Sequence, residues 1–198
     1  WFFIKPFENV TNEEKKKVTF LETISNKTFI LYFIAYVLII GCSNVADSYL
    51  FSRLLEANIQ EYQYSLVFAS EVLLEIIILI LSTKFLKEKY YVVLLKISVS
   101  ILCLRSLLLG LDLPLPFLIS FACLRGIGWG GFLSVHILIL RKIVSNKLIT
   151  KAITLLTIAL SLVNGLMTLF GTKLYSLLGI NNFYLLLGGI QLIGIIII

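Results

Sequence analysis

The sequence predicts an all-α, polytopic membrane protein with six transmembrane helices. Three observations carry that expectation. Hydrophobic residues make up 59% of the 198-residue chain and charged residues only 14%, against about 25% charged in an average soluble domain. The apolar runs approach the ~20 residues needed to cross the hydrocarbon of a bilayer. The stretches between the runs are short and collect the charges, prolines and glycines.

The first 27 residues differ from the rest. "WFFIKPF" reads as the interfacial end of a preceding span, stopped by Pro6, and "TNEEKKKVTFLETISNK" as a charged cytoplasmic connector. The chain starts at Trp1, its one methionine is Met167, and it stops inside the apolar run Ile195–Ile198. It is therefore expected to be a piece of a longer protein, with residues 1–27 a linker and 28–198 a six-helix bundle.

The six expected spans are Phe29–Leu50, Tyr64–Ser82, Tyr90–Leu109, Phe117–Leu140, Ala152–Leu174 and Phe183–Ile198. Asp112, Pro114 and Pro116 break the chain between the third and fourth. Gly179-Ile180-Asn181-Asn182 breaks it between the last two.

Charge alternates along the connections. The second-to-third connection carries Lys84, Lys87 and Lys89 against Glu88, and the fourth-to-fifth carries Arg141, Lys142, Lys147 and Lys151 with no acid. The other three carry Arg53 with Glu56 and Glu61, then Asp112, then no charge. Short cytoplasmic loops hold the Lys/Arg excess, so the basic connections and both ends of the chain are expected to be cytoplasmic. The formal net charge of +6 is thus a topology signal, and nucleic acid is not an expected partner. Cys42, Cys103 and Cys123 lie in apolar runs without C-x-x-C spacing or a nearby histidine, so neither a metal nor a redox site is indicated.

Five ionisable residues lie well inside spans: Asp47, Glu71, Glu75, Arg105 and Arg125. An unpaired charge there costs several kcal/mol, so each must face the bundle interior or a water-filled cavity. At 1.5 Å per residue, Glu71 lies ~10 Å and Arg105 ~7 Å below the same membrane face. The second and third spans are adjacent in sequence and are expected to pack together. If the first helix runs on to about Leu55, Asp47 and Arg125 also come level. Two pairs follow, Glu71 with Arg105 and Asp47 with Arg125, leaving Glu75 over on the Glu71 face. The pairs either fix helix register or line a substrate or proton path.

In "RGIGWGGF", Gly126 and Gly130 have small-xxx-small spacing and Gly128 and Gly131 lie on adjacent faces, which suits close helix packing. Asn44 and Asn164 are polar candidates for a cavity wall. His136 and Ser134 have no third partner, and no phosphate-binding glycine loop, H-E-x-x-H or G-x-S-x-G occurs. The residues point to no enzyme and to no cofactor.

The chain resembles the C-terminal six-helix half of a major facilitator superfamily transporter, in the oligosaccharide–proton symporter branch that contains the lactose permeases. The segments that carry the resemblance are "YVLIIGCSNVADSYLF", "SEVLLEIII", "CLRSLLLG", "LRGIGWGGFL" and "KLYSLLGINNFYLLLGGIQLIG". It implies two inverted three-helix repeats rocking against an N-terminal six-helix half in the cell membrane, carrying a sugar or similar polar solute such as a nucleoside together with protons. Within the superfamily an exporter of drugs or metabolites is the alternative; outside it, a non-transporting six-helix scaffold or receptor. By the resemblance, Glu71 and Arg105 match residues of the sugar and proton machinery, and Asp47 and Arg125 an acid–base pair. A second pair of that branch is replaced by Asn44 and Asn164. Its tenth-helix histidine and glutamate fall on Gly128 and Gly131. Glu75 is a carboxylate that the resemblance does not explain, and is a candidate substitute.

Overall fold

The computed structural model describes residues 27–145 and 148–198, the side chains at 83 and 85 excepted. The expected linker lies almost wholly outside the described residues. The described residues form helices joined by short connections, with no strand among them, and six of the helical stretches are long and apolar enough to cross a membrane.

The first span, α1 (Lys27–Ser48), contains a π-helical turn at Val37–Gly41. A break at Tyr49 leads into the short α2 (Leu50–Glu56), so the chain continues helically past the expected end at Leu50. The second span is α3 (Glu61–Phe85) and the third α4 (Tyr91–Leu109). The fourth is split at Cys123 into α5 (Leu115–Ala122) and α6 (Leu124–Ile143), with Pro116 in the first turn of α5, where a missing N–H costs nothing. The fifth is α7 (Ile149–Leu178) and the sixth α8 (Ile180–Ile197).

The four-residue connection expected before the last span shrinks to Gly179 alone, at φ 74° and ψ 159°, a conformation open essentially to glycine only. Ile180, Asn181 and Asn182 instead form the first turn of α8, where Asn182 Nδ2 donates to the Leu178 carbonyl at 3.0 Å.

Packing departs from the expected order in one respect. The second and third spans are not direct neighbours, because α6 lies between them and packs on both. The glycine run explains how. A Cβ on Gly126 would fall on the Glu71 carbonyl, and one on Gly130 would lie 2.8 Å from the Glu75 carbonyl, both in α3. A Cβ on Gly128 would lie 2.8 Å from Leu102 Cδ2 and one on Gly131 would fall on Ser98 Oγ, both in α4. Two glycines therefore admit α3 on one face, and two admit α4 on the other. Beyond this wedge, α8 packs on α4 and α1, and α7 packs on α1. The second and fifth spans stay at the periphery, with Leu66, Leu73, Ile80, Leu162 and Leu169 exposed.

Two apolar clusters form the core. One gathers Tyr32, Ile39, Val99, Leu102, Phe132 and Leu140. The other gathers Val45, Leu54, Leu109, Leu118, Phe183 and Tyr184. Arg105 lies on α4 between Leu102 of the first cluster and Leu109 of the second, so the intramembrane charges sit where the two meet.

Candidate functional site: a four-helix charge cluster

Asp47 stands in the last turn of α1, just before the break at Tyr49. The backbone there is held from α8, where the buried Tyr184 hydroxyl donates to the Ala46 carbonyl at 2.8 Å. Arg105 in α4 is fully buried, at 0% exposure. Its Nε donates to the Ala122 carbonyl at 3.2 Å, at the point where the fourth span breaks. Its Nη1 donates to Asp47 Oδ1 at 2.6 Å. Arg125 enters from α6 and its Nε donates to Asp47 Oδ2 at 2.5 Å. Both Asp47 oxygens are thus occupied, each by a different guanidinium.

Glu71 completes the group from α3. Its Oε1 lies 4.0 Å from Arg105 Nη2 and its Oε2 3.8 Å from Arg125 Nη1. The expected division into two pairs gives way to one cluster of two acids and two bases, one residue from each of the first four spans. The reason is the wedge: with α6 between α3 and α4, Glu71 cannot close on Arg105, and Asp47 reaches both arginines from the first span.

The two carboxylates are held differently. Asp47 is fixed by hydrogen bonds; Glu71 is held by charge across gaps too long for them. Charges 4 Å apart still attract by roughly 4 kcal/mol at an effective dielectric of 20. Glu71 Oε1 and Arg105 Nη2 are both buried without a hydrogen-bond partner. Glu71 is therefore the acid that can gain or lose a proton without breaking a hydrogen bond. Access differs as well: the Asp47 and Arg125 side chains are 21% and 19% exposed, Glu71 only 2%. The Arg125 guanidinium also lies over the Trp129 ring, 5.7 Å from its centre.

The remaining candidates are placed less centrally. Glu75 is half-buried one turn along α3, with no ion pair or hydrogen bond to its side chain among the described residues. Asn164 lines a cavity of about 360 Å³ between the end of α1 and α7, with Ser48, Tyr49, Thr168 and Thr172. Asn44 is half-buried and is not part of that wall; its carbonyl accepts from Ser48 Oγ at 3.0 Å. The four glycines act as the contact surface of α6 described above.

Further polar residues contribute beyond the candidates named from the sequence. Thr157, Ser161, Thr168 and Thr172 join Asn164 at intervals of three or four residues and form a polar stripe along α7, a pattern present in the sequence at helical spacing. Gln191, a lone amide in an apolar run, is fully buried, and its Nε2 donates to the Ile39 carbonyl in the π turn at 3.2 Å. Arg53, expected in a loop, is buried, donating to the Leu109 carbonyl at 2.8 Å and the Leu111 carbonyl at 2.6 Å. It thereby caps the C-terminal end of α4. His136 has a partner after all: its Nδ1 lies 2.6 Å from the Tyr32 hydroxyl, among the rings of Tyr36 and Phe132. The pairing of Tyr32 with His136 spans the chain and has no local sequence signal.

No curated protein and no solved structure shows a significant match to the chain. A family model does match, described as the MFS_1 like family, over residues 4–186. With that match over most of its length, and with its six apolar helices, the chain belongs to the MFS_1-like family of the major facilitator superfamily of membrane transporters.

Proposed function

We propose that the chain is half of a secondary active transporter that works by alternating access and carries a neutral polar solute, a sugar or a nucleoside, in symport with protons. The observation that carries this reading is the charge cluster. Two acids and two bases cancel, so the site has no net charge with which to select an ion. One acid–base pair, Asp47 with Arg125, is partly exposed, and Glu71 is buried, hydrogen-bond-free and able to exchange a proton. A cluster serving helix register alone has no need of a carboxylate that completes no hydrogen bond.

The polar cavity adds to this reading. Its wall is neutral and rich in hydroxyls, and it begins at Ser48, next to Asp47. A solute with several hydroxyl groups suits such a wall. The lactose-permease-like branch is our assignment from the resembling segments. Its tenth-helix proton groups are absent here: glycines stand at 128 and 131, where a Cβ would press on Leu102 and on Ser98 Oγ. Proton exchange is assigned instead to Glu71, with Glu75 one turn further along the same path. The two basic connections and both ends of the chain are assigned to the cytoplasmic side of the cell membrane, and the N-terminal six-helix half supplies the opposite wall.

The test is uptake by the full-length protein in proteoliposomes, across a panel of labelled sugars and nucleosides, with and without a protonophore. Accumulation of at least one solute that collapses with the protonophore is expected. Uptake that ignores the protonophore would refute symport, and no uptake of any neutral solute would refute the substrate class.

A further inference from the structure

We infer that the basic end of the bundle holds one acidic phospholipid in a groove beside the third span. The groove has a volume of about 630 Å³ and is lined by Lys84, Lys87, Tyr90, Val93, Leu94 and Ile97. Its two parts differ in chemistry. Tyr90, Val93, Leu94 and Ile97 recur at helical spacing, so they make one apolar strip running along the span. Tyr90, Val93 and Ile97 are about half exposed, at 48%, 53% and 52%, so nothing among the described residues covers this strip. The mouth carries Lys84 and Lys87, both exposed.

Those two cations have no ion-pair partner among the described residues. The acid of this connection, Glu88, is engaged by Lys142 of the neighbouring basic connection at 2.8 Å. The third lysine, Lys89, lies over the Tyr90 ring, 4.8 Å from its centre. Lys84 and Lys87 are thus left free to bind an anion at the depth where a membrane's headgroups lie, above a strip suited to an acyl chain.

A free anion would be served by the lysines alone and would leave the strip uncovered. A zwitterionic lipid would cover the strip but bring its own cation to the lysines. An acidic phospholipid satisfies both parts, its phosphate between Lys84 and Lys87 and one chain along Val93 and Ile97.

The experiment is native mass spectrometry of the full-length protein in detergent, titrated with phosphatidylglycerol or with phosphatidylcholine of the same acyl chains, and in a parallel arm with inorganic phosphate as competitor. One phosphatidylglycerol should be retained per chain in preference to phosphatidylcholine, and phosphate at equal concentration should not displace it. Lys84→Gln with Lys87→Gln should weaken retention roughly 10- to 30-fold, from about 1 kcal/mol per basic residue near a charged headgroup. Lys84→Arg with Lys87→Arg should restore it. Equal retention of both lipids, displacement by phosphate, or unchanged retention in the glutamine variant would each overturn the inference. A polar residue in the strip, Ile97→Asn, is expected to lower retention while leaving the lysines in place, and unchanged retention there would also count against it.

Discussion

Substitution of Gly126 by alanine tests the wedge on which the charge cluster depends. An added Cβ would fall on the Glu71 carbonyl and come within 2.8 Å of Leu74 Cβ and 3.1 Å of the Glu71 carbonyl carbon. That carbonyl belongs to the hydrogen-bond ladder of α3 and cannot swing aside, so the second and fourth spans must separate. Overpacking of this kind costs about 1–3 kcal/mol. Alanine also gains about 1 kcal/mol over glycine in a helix, which would hide part of the loss. Gly165→Ala removes that ambiguity, because a Cβ at Gly165 meets nothing within 4 Å. Both variants gain the same helix propensity, so their difference isolates the collision. At about 2–4 °C per kcal/mol for a chain of this size, Gly126→Ala should unfold ~2–12 °C below Gly165→Ala in a detergent thermal melt. Equal melting temperatures would refute the close approach of α6 to α3, and with it the reason Glu71 stands off from Arg105.

Three further outcomes follow from the same geometry. Asp47→Asn removes the partner of two guanidinium groups, and breaking a buried pair of this kind costs about 3–5 kcal/mol. Glu71→Gln loses no hydrogen bond and should cost at least about 1 kcal/mol less, so chemical denaturation of the two variants should rank them in that order. Gly179→Ala forces a side chain into φ 74°, ψ 159°, a strain of about 1–3 kcal/mol visible as a lower melting temperature. Glu75→Gln, which breaks no ion pair or hydrogen bond to a described residue, should have a stability within about 0.5 kcal/mol of the parent while reducing proton-driven accumulation; full accumulation would remove Glu75 from the proton path.

The helices were legible because each is a long apolar run bounded by breakers, and that signal is local. Their ends were less so: Tyr49 and Cys123 break helices inside apolar sequence, and Ile180–Asn182, turn-like in composition, joins α8 behind a single glycine. The identity of the charged residues was also legible, since an intramembrane charge must be buried or paired wherever it occurs. Their partners were not. Depth along a helix can be counted from sequence, but which helix lies between two others depends on side-chain volume across the chain. The glycines that decide it were visible in "RGIGWGGF", yet nothing local says that alternate ones face α3 and α4. Gln191, Arg53 and Tyr32 were missed for a related reason. Each serves a backbone carbonyl or ring on a distant helix, and only the fold brings that group within reach.

On the proposed mechanism, the buried, hydrogen-bond-free Glu71 couples proton and solute movement. The most direct measurement compares Glu71→Gln with the parent in proteoliposomes, for solute accumulation under an imposed proton gradient and for exchange of solute across a membrane with no gradient. Loss of accumulation with exchange retained is the predicted result. Accumulation that persists in Glu71→Gln and still collapses with a protonophore would show that Glu71 is not the coupling carboxylate.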